Sequence, residues 1–111
     1  MKIVDTESFE ESGMKFGPYP EGKCFRIEKS KIYEEIQQNV KMAEFLLLRP
    51  SQILIIEAKS STPNPKTQPN FDNFIKEVSE KLSNALSLGL ALYLKRHPNE
   101  KLPQAFQEVD L

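Results

Sequence analysis

The stretch that decides the fold is residues 40–61, VKMAEFLLLRPSQILIIEAKSS. It contains two apolar runs, Val40–Leu48 and Ile53–Ala58, which are joined by Arg49-Pro50-Ser51-Gln52, and proline at the second position favours a tight turn. Both runs are apolar at consecutive positions, a pattern typical of strands that are covered on both faces. The stretch therefore predicts a β-hairpin at the centre of a sheet.

The segment before this hairpin predicts one strand and one short helix. Lys23–Glu28 alternates between polar and apolar residues, as a short strand does, and Ser30 is a suitable cap for a helix over Lys31–Gln38. Residues 1–22 are polar and are interrupted by glycine and proline, so we expect an irregular arm or at most a short edge strand.

The segment after the hairpin predicts a loop and then a long helix. Three prolines make Ser60–Pro69 a loop, and Asn70 can cap the helix that follows. Apolar residues recur from Phe71 at spacings of three and four until Lys95-Arg96-His97, so this helix should lie across the sheet. We predict one α/β domain over residues 1–111, with a mixed sheet, a core over residues 23–97 and a C-terminal tail over 98–111.

Composition limits the class of protein. The chain has 111 residues, of which 39% are hydrophobic and 28% charged, with a net charge of -1, so it is not a globally basic nucleic-acid binder. Residues 23–69 are its basic part, with eight Lys or Arg against five Glu. The nearly apolar stretch Ala85–Leu94 is about half of a membrane span, and the N-terminus lacks the pattern of a secretory signal. We therefore expect a cytoplasmic protein that does not enter the membrane.

Glu57 and Lys59 are the candidate functional residues, because they interrupt the end of an otherwise apolar strand. Residues two apart in a strand share a face, so the two charged side chains should project together. If the hairpin closes at Arg49–Gln52, Glu44 lies opposite the end of the second strand, near Glu57. Charges placed in an apolar setting are costly unless they are paired or bind a ligand, so this arrangement predicts a site.

The pattern of Glu44, a hairpin and then Glu57-Ala58-Lys59 resembles the PD-(D/E)XK phosphodiesterase superfamily, which has the restriction-endonuclease-like fold. The resemblance implies a nuclease acting on DNA with Mg²⁺, or Mn²⁺ in its place. It also implies that Glu44, Glu57 and the main-chain carbonyl of Ala58 bind the metal, and that Lys59 orients the attacking water. Oxygen ligands suit Mg²⁺, and a bound metal stabilises charge on a phosphate.

The sequence departs from the family's pattern at two points. Glu44 stands where the family usually has Asp, and no further apolar run follows the long helix, where members usually have another strand. Either the sheet is truncated after that helix, or a partner supplies the strand. Two other functions remain open: a catalytically inactive binding module, and an oligomeric protein assembled through the stripe Leu82–Leu94 of the C-terminal helix.

Six further residues are candidates for minor roles. Glu28, Glu34 and Glu35 could each supply the additional acid that some family members have, although a solvated charge is the commoner role for such residues. His97, at a helix end, is more typical of a cap than of a ligand. Cys24 stands alone, which excludes an internal disulfide or a cysteine metal cage, and it is expected to be a core thiol. Gln68 is a weaker candidate for a family glutamine.

Overall fold

The predicted central hairpin is present in the computed structural model, which describes residues 5–36, 40–50, 52–60, 66, 70–97 and 100–109. The elements are β1 (Thr6–Glu11), β2 (Met14–Pro20), β3 (Cys24–Phe25), a 3₁₀ helix (Ile27–Lys29), α1 (Lys31–Ile36), β4 (Phe45–Arg49), β5 (Gln52–Ile56), α2 (Asn70–Tyr93) and α3 (Gln104–Gln107). The chain is thus a small α/β protein with a two-stranded sheet, β1-β2, and a three-stranded sheet in the order β3-β4-β5.

The β4–β5 hairpin is antiparallel, and its ladder runs from Arg49 opposite Gln52 to Phe45 opposite Ile56. β4 begins at Phe45 and not at Val40 as predicted. Residues 42–44 are buried, but residues 40–44 form no ladder with another strand. The mixed sheet that we expected is wrong for the described residues, where every strand pair is antiparallel. The β1–β2 and β4–β5 pairs are joined by tight turns, which allow only antiparallel pairing, and β3 also runs antiparallel to β4.

The hairpin is covered on both faces, as its apolar pattern predicts. On one face, Leu46 belongs to a core cluster with Ala85, Leu88 and Leu92 of α2. On the other face, Phe45 and Leu47 are packed by aromatic side chains of the β1–β2 hairpin. Because successive side chains of a strand point to opposite faces, this sandwich requires apolar residues at consecutive positions of β4. The predicted placement of the long helix across the sheet is confirmed.

The expectation of an irregular N-terminal arm is wrong, because residues 6–20 form the β1–β2 hairpin. Ser12 and Gly13 both have positive φ, 53° and 75°, as a two-residue hairpin turn of type I′ requires. Phe9 stacks on Phe16 and meets Phe45 edge to face, with ring centroids 4.9 Å apart in the second pair. A few aromatic residues thus attach an otherwise polar hairpin to the core.

The core extends beyond residue 97, the limit expected from the sequence. Leu102 and Phe106 lie in the segment that we expected to be a tail, yet their exposed fractions are 4% and 0%, and both pack in the α2 cluster. This segment contains α3. At the end of α2, Lys95 adopts a positive φ of 59°, and the next amide, of Arg96, donates to the Ala91 carbonyl, so the helix ends in a Schellman cap.

The predicted Ser30 cap is confirmed, since the Tyr33 amide donates to Ser30 Oγ at 3.2 Å. The end of the predicted first helix at Gln38, and the residues of the predicted Ser60–Pro69 loop other than Ser60 and Lys66, lie outside the described residues, as does Gln68. None of the helices described here has both the length and the apolar character needed to cross a membrane.

Candidate active site

Glu44 and Glu57 lie side by side at the end of the β4–β5 hairpin that is opposite its turn. The ladder pairs Phe45 with Ile56, so Glu44 and Glu57 are the next residues outward on the two strands. The Glu44 amide donates to the Ile56 carbonyl at 3.0 Å, which holds the two chains together at this point. The register therefore places these two residues at the same end of the hairpin, each next to the last pair of the ladder.

Both carboxyl groups are buried and incompletely partnered. Glu44 is 8% exposed, and the side chain of Glu57 is 4% exposed. Oε2 of Glu44 and both carboxyl oxygens of Glu57 accept no hydrogen bond of regular geometry from the described residues. A buried acceptor without a hydrogen bond is unfavourable by about 1–3 kcal/mol. Since Oε2 of Glu57 lies within ion-pair distance of a lysine, Oε2 of Glu44 and Oε1 of Glu57 are the two oxygens at this place that a ligand could satisfy.

Lys81, from α2, is the cation nearest to Glu57. Its Nζ lies 2.8 Å from Oε2 of Glu57, so the two groups form an ion pair. The angles between them are not those of a regular hydrogen bond. Burial disfavours the charged lysine, but contact with Glu57 outweighs that effect and raises the pKa of Lys81. Lys81 was not among the candidate residues predicted from the sequence. It lies four residues after Glu77, on the same side of α2, and the two side chains are in contact.

Lys59 lies in the same charged network but contacts a different acid. Its Nζ is 3.8 Å from Oε1 of Glu77, and Nζ of Lys81 lies at the same distance from that oxygen. The Lys59 side chain is 31% exposed, against 18% for Lys81. The strand end therefore presents Glu57 and Lys59 toward α2, as their spacing predicts, with the buried acid paired to Lys81 and the more exposed Lys59 next to Glu77.

Glu44 has an acidic neighbourhood. Burial raises the pKa of Glu44 to about 8, with further increases from a hydrogen bond to the Glu28 side chain and from the negative charges of Glu28, Glu11 and Glu57. Of the three additional acids considered from the sequence, Glu28 is brought to the site, whereas Glu34 and Glu35 are exposed on α1. Glu11 could not be found from the sequence because its position depends on the β1–β2 hairpin.

The turn of the β1–β2 hairpin also reaches the site. The Ser12 hydroxyl donates to the main-chain carbonyl of Ala58 at 3.1 Å. This is the carbonyl that the resemblance implies as a metal ligand, and its second lone pair is left for another contact. Glu11, the residue before Ser12, forms an ion pair with Arg26, whose guanidinium lies 4.4 Å above the Phe9 ring. These contacts fix the hairpin beside Glu44.

The donor set suits a hard divalent cation bound by few protein ligands. Mg²⁺ prefers oxygen ligands and usually keeps several waters, so one or two carboxylates are sufficient. No group of three or more His, Cys, Asp or Glu side chains is arranged as a metal cage within the described part of the chain. The acids around Glu44 are therefore close enough to affect its pKa without forming such a cage. The unpartnered oxygens of Glu44 and Glu57 fit a two-carboxylate site.

Other features of the chain lie away from this site. A cavity of about 700 Å³ is lined by Lys23, Arg49 and Glu108 at the turn end of the β4–β5 hairpin, about 17 Å from the carboxyl groups along the strand. Cys24 is a core thiol, as predicted, and burial raises its pKa to about 11, helped by Glu7 and opposed by Arg26. His97 lines a smaller cavity beyond the end of α2.

The chain matches no family model, and no curated protein or solved structure was found to be similar to it.

Proposed function

We propose that this protein is a Mg²⁺-dependent phosphodiester hydrolase that cleaves DNA, with a site related to that of PD-(D/E)XK nucleases. The observation that carries the proposal is the buried pair Glu44 and Glu57, in which Oε2 of Glu44 and Oε1 of Glu57 have neither a hydrogen bond nor an ion pair with the described residues. Lys81 contacts Glu57, and Lys59 belongs to the same charged network through Glu77, which both lysines approach at 3.8 Å. Unpartnered carboxyl oxygens next to ammonium groups suit a cation and a phosphate bound together.

Each residue has a chemical role in this proposal. Glu44 and Glu57 would hold the metal ion, with the Ala58 carbonyl as a third oxygen. The bound ion supplies positive charge to the phosphate and lowers the pKa of a bound water. Lys59 is the more exposed lysine, so its ammonium group is suited to contact a phosphate oxygen or to hold the attacking water. Lys81 keeps the Glu57 carboxyl group in place.

A second candidate function is a catalytically inactive module that binds nucleic acid through the same fold. It is favoured by the ion pair between Lys81 and Glu57, which balances the charge of that acid without a metal ion. The raised pKa of Glu44 has the same effect, since a protonated Glu44 carries no charge. In this function the basic residues would contact phosphate groups and no bond would be broken.

Metal binding is the first test. Isothermal titration of the protein with Mg²⁺ and with Mn²⁺ should show binding that Glu57→Gln abolishes. Glu35→Gln is the matched control, because Glu35 is an exposed acid on α1. Binding in the parent and in Glu35→Gln, with none in Glu57→Gln, supports the site. If neither ion binds to the parent protein, the hydrolase proposal is wrong.

Cleavage is the second test. Supercoiled plasmid and labelled single-stranded DNA are incubated with the protein and Mg²⁺ or Mn²⁺, and the products are separated on gels. We expect cleavage that Lys59→Met reduces by at least about a hundredfold, since one charge-stabilising donor is commonly worth that much. Lys41→Met, at an exposed lysine before β4, should retain activity. DNA binding without cleavage by the parent protein would favour the inactive module.

A further inference from the structure

β5 is an open edge of the three-stranded sheet. Among the described residues it pairs with β4 on one side and with no strand on the other. The burial pattern shows the same asymmetry: Phe45, Leu46 and Leu47 of β4 are 0%, 4% and 4% exposed, whereas residues 53–56 of β5 are only half-buried. An open edge presents a row of main-chain donors and acceptors that can pair with another strand.

The edge lacks the features that normally prevent strand addition. Folded proteins protect such edges with charged residues, prolines or bulges. β5, with the sequence Gln52-Ile53-Leu54-Ile55-Ile56, contains no charge and no proline, and its ladder with β4 is regular. An apolar strand of this kind, left half-buried, is suited to pairing with a further strand.

The helix beside the edge continues the same uncharged surface. Residues 82–94 of the chain contain no charged residue, although 28% of the whole chain is charged. Leu86 and Leu90 are 52% and 42% exposed, and with Ile53 and Ile55 they line a groove of about 190 Å³ between α2 and β5. Depletion of charge around exposed apolar side chains is characteristic of the centre of a protein interface.

We propose that this surface, defined by β5 and by Leu86 and Leu90 of α2, binds a second copy of the same chain about a twofold axis. β5 would pair with the β5 of the second copy in antiparallel orientation, so that two three-stranded sheets join into one of six strands. The proposal is independent of the hydrolase activity.

The chemistry of the surface indicates that its binding partner is a second copy of the chain. The edge can be completed only by an extended strand, since a helix or loop would leave its donors and acceptors unpaired. The surface has no charge with which to select an oppositely charged partner, whereas a twofold contact brings apolar groups onto identical apolar groups. An antiparallel β5 pair also meets no like-charge repulsion, because all five residues are uncharged.

The dimensions of the surface determine how strong the dimer should be. β5 is about 17 Å long and residues 82–94 extend about 20 Å, so the two parts match in length. A strand edge and one helix width give a footprint on the order of 400 Å² for each copy, or about 800 Å² in total, which is below the standard size of stable complexes and within the range of weak, transient ones. We therefore expect a reversible dimer that dissociates in the micromolar range.

Sedimentation velocity of the full chain from about 1 to 300 µM tests the dimer. The parent protein should pass from monomer to dimer over that range. Leu86→Glu should weaken association at least about tenfold, and Leu86→Glu combined with Leu90→Glu should abolish it, because each places a charge in the contact. Met14→Glu is the matched control: Met14 is 37% exposed but lies on β2, so its replacement should leave association unchanged.

Hydrogen exchange tests the strand pairing itself and does not depend on whether the double variant folds. Amides of β5 that face away from β4 should exchange more slowly as the parent protein is concentrated, and this change should be absent in Leu86→Glu. The proposal is overturned if the parent remains monomeric up to 300 µM. It is also overturned if a dimer forms without concentration-dependent protection of β5, or if Met14→Glu weakens association as strongly as Leu86→Glu.

Discussion

Replacing Glu44 with glutamine should make the protein more stable at alkaline pH while changing little at pH 5. Burial, the hydrogen bond to Glu28 and the nearby acids raise the pKa of Glu44 from its ordinary value of 4.5 to about 8 in the folded protein. The folded state therefore keeps a proton at pH values where the unfolded state has lost it. Stability that depends on this proton is fully present below pH 4.5 and is lost as pH rises through 8.

The size of the effect follows from the two pKa values. Between pH 5 and pH 8 the folded chain binds nearly one more proton at Glu44 than the unfolded chain, at about 1.4 kcal/mol for each pH unit. The parent protein should thus lose on the order of 3 kcal/mol of unfolding free energy across this range through Glu44 alone. Glutamine remains neutral at every pH and can still donate a hydrogen bond to Glu28, so the variant lacks this loss.

Urea denaturation at pH 5, 6, 7, 8 and 9, followed by circular dichroism, measures the difference. Because all other titrating groups are shared, subtracting the two curves of unfolding free energy against pH leaves the contribution of Glu44 and of its interaction with the neighbouring acids. We expect the curves to coincide near pH 5 and to diverge steadily, with Glu44→Gln the more stable protein at pH 9. Parallel curves would refute the reasoning, because they would mean that Glu44 titrates alike in the folded and unfolded chains.

Three further comparisons test the ion pair, a close contact of the backbone and the core packing by the same denaturation assay. Lys81→Met should lower the free energy of unfolding by about 2–4 kcal/mol, because it leaves Glu57 buried without its cation. Adding Glu57→Gln should restore much of that stability. A double variant no more stable than Lys81→Met would contradict the ion pair. Gly17→Ala should cost more than about 2 kcal/mol, because Gly17 has a φ of 104° and a Cβ there would lie 2.7 Å from the Glu7 carbonyl oxygen. Gly13→Ala is the control: Gly13 also has a positive φ but open space around it, so its replacement should cost about 1 kcal/mol. Equal losses in the two variants would contradict the clash at Gly17. Phe106→Ala should cost about 3–5 kcal/mol, and a loss under about 1 kcal/mol would show that the C-terminal segment is not part of the core.

The central part of the fold could be predicted because its signals are local. The apolar runs, the Pro50 turn and the spacing of apolar residues in α2 depend on neighbouring residues, and the structure confirms the hairpin and the helix. The β1–β2 hairpin could not be found in the same way. Its strands are mostly polar, and only contacts with the distant Phe45 show why Phe9 and Phe16 are apolar.

The candidate site, too, could be predicted only where it depends on local signals in the sequence. The opposition of Glu44 and Glu57 follows from the hairpin register, so the sequence was sufficient to predict it. Glu11, Glu28 and Lys81 reach the site from three other elements, and no spacing in the sequence links them to Glu57. The resemblance placed Lys59 beside the acids, whereas its ammonium group contacts Glu77 on α2, a partner that depends on how the helix packs.

The proton on Glu44 and the proposed metal ion compete for the same buried oxygens, and this competition joins the pH behaviour to the function. A metal ion that binds Glu44 must displace the proton, so its apparent affinity should rise up to about tenfold for each pH unit below the Glu44 pKa of about 8 and level off above it. Titrations with Mg²⁺ at pH 6 and pH 9 should therefore differ by about a hundredfold in the parent protein. In Glu44→Gln the remaining affinity should depend much less on pH, since Glu57 alone would then hold the ion. If metal affinity in the parent does not change between pH 6 and pH 9, Glu44 is not a ligand, and its buried carboxyl group has a structural role together with Glu28.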